Sequence, residues 1–229
     1  MISLPPFGAF IFDMDGVLID SENFYTEMER ICFDRLGLDI SHEEHITYQG
    51  TATDEMWKII KARHGLPHTL EELVELNHGL TIPVFENMQR MDPMPGVESV
   101  LSLLKSMNVP MALASSSIPE VIDIVLDKTG LRQYFEVAVN SRMTGISKPA
   151  PDIFLLAAKR LGIFPEKCIV VEDSTNGIKA AKSAGMYCIA YNGPGSEHQD
   201  QSGADVVISD YAELTGYLIR TRNSSEAKG

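Results

Sequence analysis

Short apolar runs alternate with helical patterns along most of the chain, and this alternation restricts the fold more than any other feature. Residues 9–13, 110–114, 135–139, 168–171, 186–191 and 204–208 read as strands. Between them, helical periodicity covers residues 95–107, 119–129, 151–161, 175–184 and 211–220. Strands separated by helices pair through crossovers, so the expected class is α/β, with a doubly wound, mainly parallel sheet. Its ligand site should lie at the carboxyl ends of the strands.

One segment breaks the rhythm. Residues 21–91 read as helical throughout: 22–36 stops at Gly37, 54–63 stops at Gly65, and a helix from Leu70 is interrupted by Pro83. The expected organisation is a core of residues 1–20 and 92–229 with an all-helical cap of residues 21–91 inserted after the first strand. MDPMPG (91–96) is the expected return hinge, since proline ends one helix and starts the next. The final stretch TRNSSEAKG is polar and expected to fray. No internal repeat or low-complexity tract is present.

With 229 residues and a net charge of -13, the chain can bury a sizeable core but offers little to nucleic acid or an anionic membrane surface. The start MISLPPFGAFIF lacks a basic n-region, and no apolar run is long enough to cross a bilayer. Cys32, Cys168 and Cys188 are widely spaced and odd in number, which suggests neither a disulfide framework nor a zinc ribbon. A soluble, monomeric protein of the reducing cytoplasm is expected.

The stretch FIFDMDG places Asp13 and Asp15 at the end of the first apolar run, where Gly16 permits a tight turn. A pair of turn or helix-capping acids is the plainer reading. Three further stretches occupy later strand ends. ALASSS carries Ser115 and Ser116, SKPAPD carries Lys148 before a proline that favours extended backbone, and VVEDSTNG carries Glu172 and Asp173. Each has its own structural alternative: Ser117-Ile118-Pro119-Glu120 fits a capping box, Lys148 could be an exposed loop residue, and Asp173 or Ser174 could cap a helix. Together they form a complete set for phosphoryl transfer. A carboxylate can attack phosphorus, a second acid can protonate the leaving oxygen, a hydroxyl and an ammonium can hold phosphate, and further carboxylates can hold Mg2+.

DMDGVLIDSE, LASSS, SKPAPDIF and VVEDSTNGIKAAKSAGM resemble, in order, the motifs of the haloacid dehalogenase-like superfamily, in its β-phosphoglucomutase-like and small-molecule phosphatase branch. The resemblance spans nearly the whole chain and implies a Rossmann-like core with an inserted helical cap. By motif, Asp13 resembles the nucleophile and Asp15 the general acid/base, whose backbone carbonyl also faces the metal. Ser115 and Lys148 resemble the phosphate-binding pair, with Ser116 a further contact. Asp173 resembles a magnesium ligand, and Glu172 either joins it or lies behind it. Ser117 borders a distal phosphate in the same branch, against the capping reading.

The resemblance implies a magnesium-dependent phosphatase acting on a small phosphorylated metabolite, a sugar phosphate or nucleoside monophosphate, with specificity in the cap. A hexose-phosphate mutase is the rival. Family mutases carry a histidine and an arginine in the cap; the counterparts here are Tyr25 and Thr53, which supply no permanent positive charge, although Lys58, Lys61 or Arg63 could substitute. A receiver-like signalling protein is disfavoured by the insertion and the D-x-D, a dehalogenase by the second acid, and a dinucleotide-binding enzyme by the lack of a G-x-G-x-x-G turn. His42 and His45 could share a helix face, but without a third ligand they are expected to be solvated. Trp57 is expected to pack within the cap. The loop Gln49-Gly50-Thr51-Ala52-Thr53 either reaches substrate or simply connects helices.

Overall fold

The computed structural model describes residues 4–48, 51, 53–88 and 91–226. The chain divides into two compact units, Met1–Asp20 with Arg90–Gly229, and Ser21–Gln89. The first holds six strands, β1 (Ala9–Phe12), β2 (Met111–Ser115), β3 (Val137–Asn140), β4 (Cys168–Glu172), β5 (Tyr187–Tyr191) and β6 (Val206–Ile208). They form one parallel sheet in the order β3-β2-β1-β4-β5-β6. This is the Rossmann-like α/β architecture.

The strands are short, apolar and buried on both faces, as a helix-covered parallel sheet requires. Alternation sorts the side chains of β1: Ala9 and Ile11 join a cluster with Ala112, Ala114, Val170 and Cys188, whereas Phe10 and Phe12 stack with ring centres 5.9 Å apart. The same cluster takes in Ile153, Phe154, Ala157 and Ala158 of α8 (Asp152–Leu161), and Ile178, Ala180 and Ala181 of α9 (Thr175–Ser183). Helix α5 (Val97–Ser106) buries Val97, Val100, Leu101 and Leu104, a 3.6-residue stripe, and packs against α10 (Tyr211–Glu226). The helix α6 (Pro119–Lys128) and the short α7 (Ser141–Thr144) complete this unit.

The return from the insertion is pinned rather than loose. Pro93 bridges to Ile19, and the Met94 N–H donates to the Leu18 carbonyl at 2.7 Å. Tyr211 lies against Gly96, whose φ of +87° and lack of a side chain both matter, since a Cβ there would come within 2.9 Å of the Tyr211 Cβ. The Tyr211 hydroxyl donates to the Val17 carbonyl at 2.9 Å. The turn after β1 is thereby tied to the last helix.

The second unit is helical: α1 (Glu22–Arg35), α2 (His42–Ile46), α3 (Thr53–His64) and α4 (Leu70–Asn87). Its core gathers Cys32, Phe33, Tyr48, Met56, Trp57, Ile60 and Leu73. Three expectations need correction. Pro83 does not interrupt α4: Leu73, Asn77, Thr81 and Phe85 remain buried at a four-residue spacing straight through it, so continuous packing outweighs one missing N–H. The polar stretch expected to fray is helical from Thr221 to Glu226, where α10 ends. Of the two histidines expected to be solvated, His42 is exposed but His45 is buried, its Nε2 2.6 Å from Glu29 Oε2. Among the described residues no helix is long and apolar enough to cross a membrane. The cysteines are free and buried.

Candidate active site

Parallel pairing delivers the chemistry-bearing residues to one edge. Phe12 pairs with Leu113 and Val171, so Asp13 leaves β1 beside the ends of β2, with Ser115, and β4, with Glu172. The Asp13 N–H still donates to the Val171 carbonyl at 3.0 Å, which holds its backbone in the sheet's direction. Lys148 arrives from the connection between α7 and α8, where its bond to Pro149 is cis.

Lys148 is no exposed loop residue. Its Nζ donates to Asp13 Oδ1 at 2.7 Å and to Glu172 Oε1 at 2.6 Å, and lies 5.0 Å from the centre of the Phe154 ring. Glu172 is fully buried and fully engaged: its Oε2 accepts from the N–H groups of Asp173 and Ser174, both at 2.8 Å, and from the Ser174 hydroxyl at 3.1 Å. Ser174, in turn, caps α9 by accepting from the Gly177 N–H at 3.1 Å. Of the two capping candidates, therefore, Ser174 takes the role and Asp173 does not.

Asp173 sits against Gly16, where a Cβ would meet its Oδ2 at 2.2 Å; Gly16 also has a φ of +72°. One ligand oxygen each from Asp13, Glu172 and Asp173 lies within 4.8 Å of the others, a spacing that could hold a metal ion. The donors are all hard oxygens, the type that divalent Mg2+ and Ca2+ take. Burial and then neighbouring acids oppose ionisation here. Asp13 is raised to about 7, chiefly by burial, with Lys148 pulling the other way and Glu172 and Asp15 adding to the rise. Asp173 is raised well above the usual range by burial, then by Glu172 and Asp13. Lys148 stays charged: burial works against it, but Asp13 and Glu172 outweigh that and raise its pKa. The cluster has too few positive charges for its carboxylates, and a cation would relieve the strain.

The serines divide their labour. The Ser117 hydroxyl donates to Asp15 Oδ2 at 2.6 Å, while that of Ser115 stands at 3.5 Å from the same oxygen, the outer limit of a hydrogen bond, and accepts from the Ser117 N–H at 3.0 Å. Helix α6 itself begins with Ile118 as its N-cap and Pro119 at the first position, where proline's missing N–H leaves nothing to satisfy. Ser116 is exposed, and its carbonyl accepts from the Ser141 hydroxyl at 3.2 Å. Gln49, Gly50 and Ala52 of the glycine loop lie outside the described residues.

Sequence reading missed a supporting strap from the loop before β6. Gln201 Nε2 donates to the Asp173 carbonyl at 2.8 Å and to the Tyr191 carbonyl at 3.0 Å, and Gln199 Oε1 accepts from the Thr175 N–H at 2.9 Å. Nothing in the periodicity marks these glutamines; they occupy an irregular polar loop. Gly177 was missed as well, although a glycine early in a helix is a signal. A Cβ there would fall 1.7 Å from Glu172 Oε1.

A family model described as haloacid dehalogenase-like hydrolase matches residues 7–185. The chain belongs to the haloacid dehalogenase-like hydrolases. Among relatives of this hydrolase family, a probable pseudouridine-5'-phosphatase from Drosophila melanogaster is 32% identical, covering 89% of this chain and 90% of its own. Hexitol phosphatase B from Escherichia coli K12 is also 32% identical, covering 90% and 94%. The crystal structure of a β-phosphoglucomutase from Clostridium difficile superposes with a TM-score of 0.81 at 26% identity, covering 97% of this chain and all of that one (100%).

Proposed function

We propose that this hydrolase is a magnesium-dependent phosphatase of small phosphorylated metabolites, sugar phosphates or nucleoside monophosphates, working through an aspartyl-phosphate on Asp13. The observation that carries the proposal is Lys148, buried between Asp13 and Glu172 and beside Asp173. A buried lysine held by two acids next to a third is suited to drawing a phosphate dianion onto a carboxylate nucleophile. Asp13 and Asp173 would hold the ion, with the Asp15 backbone carbonyl completing the protein's share. Glu172, whose oxygens are already occupied by Lys148 and the α9 N-terminus, lies behind them as an orienting group. When bound, Mg2+ supplies charge neutralisation for the phosphoryl oxygens.

Within this scheme Lys148 pins one oxygen of Asp13 and fixes its rotamer for attack. Asp15 protonates the departing oxygen and then takes a proton from the water that hydrolyses the aspartyl-phosphate. Ser115, released from its long contact with Asp15, and Lys148 bind the phosphate oxygens. Ser116 contributes its surroundings rather than a buried contact.

Hydrolysis is favoured over mutase activity by the relatives named as phosphatases and by the state of the cationic side chains in the helical unit. Arg63 donates to Glu44 at 3.1 Å and to the Tyr48 hydroxyl at 3.3 Å, Lys58 pairs with Glu55 at 3.2 Å, and Lys61 donates to the carbonyls of Leu66 and His68. Tyr25 packs on Phe85, ring centres 5.6 Å apart. All the groups considered as substitutes for a second phosphate clamp already have partners. A screen of phosphorylated metabolites with Mg2+, following both free phosphate and sugar-phosphate isomerisation, tests the reading. Phosphate release from at least one sugar or nucleoside phosphate, lost in excess chelator, is expected; efficient isomerisation of β-glucose 1-phosphate with little free phosphate would reverse the preference.

A further inference from the structure

We propose that Ser117 is a positioning residue for the acid/base Asp15, an inference that rests on the phosphatase reading above. Three observations converge on it. Its hydroxyl is 2.6 Å from Asp15 Oδ2, against 3.5 Å for that of Ser115. Its backbone is fixed from the other direction, its N–H donating to Ser115 Oγ at 3.0 Å. Residue 117 is also half-buried, so the bond is partly shielded from competing water.

The chemistry follows from which atom donates. A serine hydroxyl that donates to Oδ2 requires that oxygen to be the acceptor, so the transferable proton of the neutral carboxyl resides on Oδ1. During phosphoryl transfer the phosphorus–oxygen bond to the leaving group breaks as the bond to Asp13 forms. The Oδ1 proton passes to the departing oxygen, and Asp15 becomes a carboxylate. The Ser117 bond then becomes charge-assisted and strengthens, holding the carboxylate in place to receive a proton from water in the second step. Ser117 gains and loses nothing in the cycle; it selects the oxygen and the angle. A hydroxyl that touched only substrate phosphate would have no such preference between leaving groups.

The test compares two esters that differ in their need for protonation. p-Nitrophenyl phosphate leaves as a stable phenolate, whereas β-glycerophosphate leaves as an alkoxide and depends on the acid. The measured quantity is kcat/KM, which covers steps up to phosphoryl transfer and not the later hydrolysis. Ser117→Ala should lose about 10–100-fold on the alkyl ester, the scale of a misplaced catalytic group, and about threefold or less on the aryl ester. Ser117→Thr, which keeps the hydroxyl, should preserve the parent's ratio between esters. Equal losses on both esters in Ser117→Ala, or a ratio in Ser117→Thr that shifts as far as in the alanine variant, would overturn the inference while leaving the phosphatase reading intact. A well-folded parent that hydrolyses neither ester nor any metabolite in the screen would overturn both.

Discussion

Gly177 shows how little room the acid cluster leaves. Alanine in a helix is ordinarily about 1 kcal/mol better than glycine, yet here the added methyl would coincide with the Glu172 carboxylate. Displacing Glu172 breaks its bond to Lys148 and strands a buried charge, a loss of about 3–5 kcal/mol. Gly177→Ala should therefore be less stable than the parent by at least about 2 kcal/mol in urea unfolding; an equal or higher midpoint would show that Glu172 is held elsewhere. Asp13 makes the opposite case. Its pKa is raised to about 7, first by burial, so neutralising it relieves unfavourable charge as it removes the proposed nucleophile. Asp13→Asn is expected to unfold at the parent's temperature or above it while releasing no phosphate. Residual turnover in a well-folded sample would remove Asp13 from its role.

Among the elements, α4 carries a defect that packing tolerates. Pro83 lacks the N–H that would continue the ladder, but the stripe from Leu73 to Phe85 keeps the helix unbroken. Pro83→Ala should raise the stability of the helical unit, by about 1–2 kcal/mol once the stiffer unfolded chain of proline is offset against the helix penalty of about 3 kcal/mol. In the same unit Glu44 joins α2 to α3, accepting from Tyr48 and Arg63 and lying 2.8 Å from His64 Nε2. These bonds, that of Tyr48 foremost and then His64, lower its pKa from 4.5 to about 2. A carboxylate with a depressed folded pKa stabilises above its unfolded value and loses that contribution as pH falls from about 4.5 toward 2. Acid unfolding should steepen in that window and flatten there in Glu44→Gln. The contrast between strands and helices also marks what was legible. All six strands could be read to within a residue or two, since burial on both faces leaves unbroken apolar runs. The five-residue α2 is too short to show a period, and continuity through Pro83 depends on partners far along the chain. At the site, Asp13, Lys148, Glu172 and Asp173 stood out by type and spacing. The Ser117 bond to Asp15 did not, because the same four residues also spell a helix start.

For the whole molecule, the surplus of buried acid should make stability a function of ion content. In the metal-free protein, a carboxyl whose folded pKa is raised from 3.8 to about 7 favours the folded state below its unfolded value. That benefit drains away as pH climbs from about 4 toward 7. Thermal unfolding in chelator should therefore fall across this interval, and Mg2+ should restore it most at the upper end; a melting temperature indifferent to both would argue against a cation among Asp13, Glu172 and Asp173. The sheet order has a consequence of another kind. Strand β1 is an inner strand, yet Phe10 pairs with Met111 on one side and Ile169 on the other. On the ribosome it emerges before both partners, one edge bare until β2 has been made and the other until β4 has followed. Synthesis halted before β4 would leave a hydrophobic edge open to any neighbouring nascent chain, so the strand that leads into Asp13 is also the one most in need of a chaperone.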